Sequence, residues 1–263
     1  MNKIFGFLFL LLSSIALGQN TVIIPALLHS EKIDADYYYG TDQFGAIYYV
    51  KDDVVFKKNN NQIWQYKNLR LGTITKIDIQ NPLKIVVFYE KFNTIIQLDN
   101  QLNEVQKTDF NQYSLPIIAA ATGMASQNRL WIFNATNKQL GLYDFQKNSY
   151  TSLSQPFKDS IRFYQTNYNY FYWITPQLEL YACDVFGKII YLGTVPPFDN
   201  GFLYQNNLFF YTKDSFLYGF DLNKQETLTI DIAEKSYGDF SIKEQILSIF
   251  TSKEIFNFKI TNP

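Results

Sequence analysis

The chain has 263 residues, 23 of them basic and 24 acidic. That balance excludes the electrostatic grip on nucleic acid or on an anionic membrane surface that a strongly basic protein has. One cysteine and one histidine are too few for an internal disulfide or for a transition-metal centre of nitrogen and sulfur ligands. With 47% hydrophobic and 18% aromatic residues, the fold can stand on its core alone.

Residues 1–18 read as an export leader. Lys3 supplies a positive start, Ile4–Leu12 is apolar but short for a membrane span, and Ala16-Leu17-Gly18 offers small residues to a signal peptidase. Cleavage is expected near Gly18/Gln19, leaving residues 19–263 as one domain, secreted or periplasmic, with no transmembrane segment. No cysteine follows the apolar run to carry a lipid. Cys183 sits in an apolar stretch (LYAC) and reads as a buried, inert thiol.

Thr21–Leu28 (TVIIPALL) is an apolar segment with no partner nearby in sequence. After it a phrase recurs: an aromatic-rich strand, a polar break, then a second strand ending in Asp. It reads Leu83–Asp99, Arg129–Asp144, Asn169–Asp184 and Asn207–Asp221, with weaker copies ending at Asn59 and Lys259. These six markers are 40, 45, 40, 37 and 38 residues apart. An all-strand repeat of this period predicts a β-propeller of four-stranded antiparallel blades. In the fifth unit the inner strand is expected at Gly201–Gln205, the second at Leu208–Thr212, the third at Phe216–Phe220 and the outer at Glu226–Ile230. Each marker Asp opens the turn between third and outer strands, where its carboxylate can accept backbone N–H groups; Asn59 can do the same.

The sixth unit has inner (Tyr237–Ile242), second (Gln245–Thr251) and third (Glu254–Lys259) strands, but the chain stops at Pro263. Its outer strand must come from elsewhere, because an unpaired blade edge invites aggregation. Thr21–Leu28 is the available segment and is expected to pair with Glu254–Lys259, closing a six-bladed ring. Pro25 is tolerated on an outermost strand. His29 then falls just after the closing strand, in a loop. Trp131 and Trp173, equivalent to Val87 and Phe210 in the second strands, belong between blades; Trp64 lies on an outer strand.

The phrases LFFYTKDSFLYGFDLNKQE and LELYACDVFGKII resemble the quinoprotein-like, or PQQ-type, propeller repeat. The resemblance rests on strand pattern plus Asp, and this chain lacks most of that family's turn glycines and its blade tryptophan, so no cofactor is expected. The heavy use of Asn, Lys, Ile, Tyr and Phe, with the short leader, resembles exported proteins of the Bacteroidetes type.

Catalytic motifs are absent: the sequence has no G-x-S-x-G, Walker A or Rossmann glycine pattern, and no Ca²⁺-loop spacing. Asp159, Asp199 and Asp239 each precede an inner strand at a similar place in their units and are the acids available to converge on the axis as a glycosidase pair. Asp159-Ser160-Ile161 matches a short O-glycosylation pattern for which chance is the simpler account. Asn134-Ala135-Thr136 is an N-glycosylation sequon only in a eukaryotic host.

Recognition is expected on the face that carries the second-to-third strand loops and the connections between blades. The first set offers Asp52, Asp53, Lys91, Phe92, Asn93, Asn137, Gln177, Lys213 and Asp214; the second adds Arg70 and Tyr113. Aromatic, amide and mixed charge suit a protein or glycan partner. The sequence therefore reads as a monomeric, non-enzymatic binding or assembly scaffold of the cell envelope. The alternative is a glycan-active hydrolase or lyase with carboxylates at the channel mouth.

Overall fold

The computed structural model describes residues 21–112, 116–205, 207–232, 238–251 and 253–260. The leader expected at 1–18 lies outside them. The described residues form six antiparallel blades around an axis, a six-bladed propeller. The inner strands are Tyr37–Thr41, Lys76–Asp78, Ala119–Ala125, Phe163–Thr166, Asn200–Tyr204 and Asp239–Lys243. In the fifth blade the others are Leu208–Lys213, Phe216–Asp221 and Glu226–Ile230, each within a residue of expectation.

The Asp markers form their turns. Asp99 Oδ1 accepts the N–H groups of Gln101 (2.8 Å) and Asn103 (2.9 Å), and Asp184 Oδ1 those of Phe186 and Lys188 (both 2.9 Å). Asp144 Oδ1 accepts the N–H groups of Gln146 and Lys147 within its turn, and Asp221 Oδ1 those of Asn223 and Lys224. Asn59 ends its strand opposite Gln62, and the intervening Asn60 takes φ 51°, which Asn tolerates better than most residues.

The core is divided into six apolar wedges, one between each pair of neighbouring blades. The second strands feed two wedges at once, so Ile85–Tyr89 (IVVFY) is buried on both faces and reads as a continuous apolar run. Trp131 and Trp173 meet in the wedge between third and fourth blades, where Phe157 stacks on Trp173 with centroids 4.3 Å apart. Cys183 lies in the same wedge, fully buried, and desolvation pushes its thiol up to about 12. Trp64 is half-buried on its outer strand, with Lys57 Nζ 5.4 Å from its ring.

The N-terminal segment closes the ring, with a division that its sequence does not announce. Ala26–Lys32 pairs antiparallel with Glu254–Lys259 and supplies the missing outer strand of the sixth blade. Thr21–Ile23 instead pairs parallel with Leu228–Ile230 as a fifth strand on the fifth blade. Pro25 sits at the bend between them, where no ladder N–H is required. One segment thus straps two blades. His29 is corrected from loop to closing strand: it faces Asn257 in the ladder, with its Nε2 3.1 Å from Asn257 Nδ2.

Lys32 and Glu254 stand opposite each other in this ladder. Paired strand positions match the Cα separation a disulfide needs. The double variant K32C/E254C should form a disulfide on oxidation and stabilise the fold by up to about 5 kcal/mol, since the bridged loop is long. Thermal melting with and without reductant checks this, and failure of the thiols to pair contradicts the register.

Candidate functional site

A propeller blade presents the edge of its inner strand to the axis, and that edge has no neighbouring strand to satisfy its N–H groups. Here side chains from adjacent blades do so. Asp78 of the second blade accepts the Met124 N–H of the third at 2.7 Å. Gln165 of the fourth grips Leu203 of the fifth twice, accepting its N–H and donating to its C=O, both at 2.8 Å. Asp239 of the sixth accepts the Tyr38 N–H of the first. Asn200 of the fifth donates to Asp239 (3.3 Å), and the Tyr164 hydroxyl accepts the Thr122 N–H (3.4 Å).

These bonds settle what the axial carboxylates do. Asp239 is half-buried, and desolvation raises its pKa against the lowering pull of Tyr38 N–H and Asn200. Asp199 is exposed and accepts the Asp214 N–H at 3.1 Å in a loop turn. Asp159 is exposed between the third and fourth blades, where it lines a separate cavity with Ser160, Arg162, Lys138 and Glu90. Three different settings hold the three acids, and the two acids on inner strands, Asp78 and Asp239, each accept a backbone N–H of a neighbouring blade. Among the described residues no cluster of three or more His, Cys, Asp or Glu side chains could hold a metal ion.

At the other end of the axis, where inner strands turn into second strands, lies a cavity of about 410 Å³. Tyr39, Phe202, Ile77, Ile79 and Ile242 give it apolar walls, while Thr41, Gln43, Gln80, Gln165 and Thr166 give it hydroxyls and amides. Lys76 and Asp78 also line it, with Lys243 and Glu244 at the rim. Two local devices shape the wall. A bulge at Tyr38/Gly40 leaves Tyr39 as the extra residue and turns it inward; Gly40 holds φ +127°, which other residues avoid. At Gly123 a Cβ would stand 2.0 Å from Thr166 Oγ1, so glycine lets that hydroxyl lie against the third blade.

Lys76 is the most perturbed cation of the site. Its Nζ stands 3.7 Å from the Tyr164 ring centroid. Desolvation lowers its pKa to about 8, against an opposing pull from Asp78. Asp78 cannot fully compensate, because its oxygens already accept Met124 N–H, Gln80 N–H (2.9 Å) and Gln80 Nε2 (3.2 Å). Burial likewise raises the Tyr39 and Tyr164 phenols well above their ordinary value.

The residues expected to recognise a partner lie on the opposite face and serve mostly as turns. Asp52 and Asp53 have φ 51° and 58°, the geometry of a two-residue hairpin turn, and Asp214 with Ser215 forms another. Asn137 accepts the Gln139 N–H and donates to its side chain. Arg70, Lys91, Phe92, Gln177 and Lys213 are exposed. Phe92 lies beside Gly72 in the connection that carries Arg70. Asn93 is corrected: it is buried, donates to Ile117 C=O at 2.6 Å and accepts the Ala119 N–H, tying second blade to third. Tyr113 lies outside the described residues. Asn134 is also buried, its amide bonded to Ile118, Thr136 and Pro116 backbone.

Sequence reading missed Lys76, Tyr39, Tyr164, Gln165 and Thr166. One signal was available: Lys76-Ile77-Asp78 puts two charges into an inner strand at the centre of the ring.

The fold and this axial cavity define a six-bladed propeller with a small-molecule-sized central site. Solved structures share the architecture. A streptogramin B lyase superposes with a TM-score of 0.57 at 11% identity, covering 89% of this chain and 98% of that one. A virginiamycin B lyase from Staphylococcus aureus gives 0.56 at 11%, over 89% and 99%. The extracellular domain of a hybrid two component system from B. thetaiotaomicron gives 0.53 at 9%, over 86% of this chain and 33% of that one. At these identities the likeness is one of fold. No family model and no curated protein sequence matches the chain. No helix among the described residues is long and apolar enough to cross a membrane.

The depressed Lys76 carries a pH signature. Its folded-state pKa lies below the unfolded value, so its cost to stability is full below about pH 8 and fades as pH rises towards 10.5. K76M should melt higher than wild type at pH 7, by roughly 2–6 °C. The gap should shrink between pH 8 and 10.5, as calorimetry at stepped pH would read.

Proposed function

We propose that this protein is an exported, non-enzymatic propeller of the bacterial envelope that binds a glycan or protein partner through its axial cavity and loop face. The observation that carries this is the commitment of the axial carboxylates. Asp78 and Asp239 cap inner-strand N–H groups, and Asp199 braces a turn. A glycosidase needs two carboxyl groups facing one scissile bond, one to donate a proton and one to attack or activate water. Capping duty opposes that role, because a carboxylate whose oxygens accept backbone N–H groups is held in place and has fewer acceptor positions left for a substrate or a water. The cavity sets amide, hydroxyl and aromatic surface beside Lys76 and beside an Asp78 whose oxygens are taken by Met124 and Gln80, a lining suited to binding rather than cleavage.

The exposed Arg70, Lys91, Phe92, Gln177 and Lys213 offer a macromolecular partner a second contact ring on the opposite face. The leader-like residues 1–18 and the quinoprotein-like repeat support export and a scaffold role. Two of the structures that share the architecture are extracellular domains of one B. thetaiotaomicron sensor system, which fits the same compartment. The reading requires no cofactor and no second copy of the chain.

Incubating the purified chain with solubilised envelope polysaccharide tests it. Retention of glycan or of a stoichiometric partner is expected, without new reducing ends or unsaturated products above a heat-killed control. Steady release of such products would replace the scaffold with a hydrolase or lyase.

A further inference from the structure

Lys76 poses a question that its role in the fold leaves unanswered. The second blade gains nothing from placing an ammonium in its inner strand: desolvation works against the charge, and the side chain makes no hydrogen bond or ion pair among the described residues. Its Nζ lies over the π face of Tyr164, and no oxygen or nitrogen acceptor among the described residues takes its N–H donors. Asp78 is occupied, as above, and Lys243 donates to Thr41 C=O at 3.3 Å at the rim. Glu244, the other acid of the lining, is exposed on a turn.

The groups around Lys76 describe the rest of a ligand. Tyr39 and Phe202 present half-buried aromatic surface to the cavity. Gln43 and Thr166 have side chains with no hydrogen-bond partner among the described residues, and Gly123 holds the Thr166 hydroxyl in place. Aromatic faces take the C–H side of a ring, while amides and hydroxyls take its rim of O–H groups. A single cation with free donors takes one carboxylate. About 410 Å³ falls within the usual range of small-molecule sites.

We propose that the axial cavity binds a polyhydroxylated ring bearing one carboxylate, a hexuronate-class sugar, with Lys76 as the carboxylate's partner and Thr166 and Gln43 on its hydroxyls. This rests on the reading of the protein as a binder and names the ligand class of its axial site. Arriving carboxylate replaces the water that the ammonium has lost, so an unfavourable feature of the free protein becomes favourable in the complex.

Titration calorimetry of the full chain with D-glucuronate, D-glucose, acetate and inorganic phosphate tests the assignment. Glucuronate should bind, with glucose and acetate each at least about 10-fold weaker, since each lacks half of the recognition. K76M should lose glucuronate binding by 10-fold or more while keeping the wild-type near-ultraviolet circular dichroism. T166V, an isosteric change, should lose about 3- to 10-fold. The assignment is overturned if glucuronate does not bind, if K76M binds it as wild type does, or if phosphate and acetate bind as well as glucuronate. Envelope glycan or partner retained equally by K76M and wild type would overturn this site while leaving the scaffold reading intact.

Discussion

Everything near the axis of this protein follows from one constraint: the inner strand of each blade has an edge with no neighbour. Backbone N–H groups there are enclosed by the ring and must find acceptors. The chain solves this with side chains reaching across from adjacent blades: Asp78 to Met124, Gln165 to Leu203 and Asp239 to Tyr38. Alternate blades reach forward to the next, so these polar bridges add to the six apolar wedges as a second set of inter-blade contacts. The wedges supply most of the driving force by area, and the bridges fix how the blades register against one another.

The same constraint decides the chemistry. Acids at the centre of a propeller invite a catalytic reading, and Asp239 even carries a raised pKa of the kind active sites use. Its partners show that the cause is burial in a structural bridge. Lys76 is different. It shares the enclosure but none of the bridging, and so it stands out as the one perturbed axial charge whose hydrogen-bonding capacity is unspent among the described residues.

Much of the fold was legible because each repeat carries its own ruler. The spacing of Asn59, Asp99, Asp144, Asp184, Asp221 and Lys259 gives six blades, and the incomplete last blade calls for an N-terminal partner. The division of that partner was not legible: Thr21–Leu28 reads as one apolar run interrupted by Pro25, and nothing in it assigns Thr21–Ile23 to the fifth blade and Ala26–Lys32 to the sixth. The site was less legible for a related reason. Loop residues such as Asp52, Asp53 and Asn93 look like recognition groups in sequence, yet the residue types that tolerate positive φ or cap backbone N–H groups are the same polar ones. Which inner-strand side chains meet across the axis depends on bulges at Tyr38/Gly40 and Ala119/Ala121, and no local pattern marks those.

Amide hydrogen exchange of Met124 and Leu203, in wild type and in D78A and Q165A, addresses the account most directly. If axial side chains are structural caps, both amides exchange slowly in wild type, Met124 loses protection in D78A and Leu203 loses it in Q165A. Fast exchange of these amides in wild type, or protection unchanged in both variants, would contradict the account.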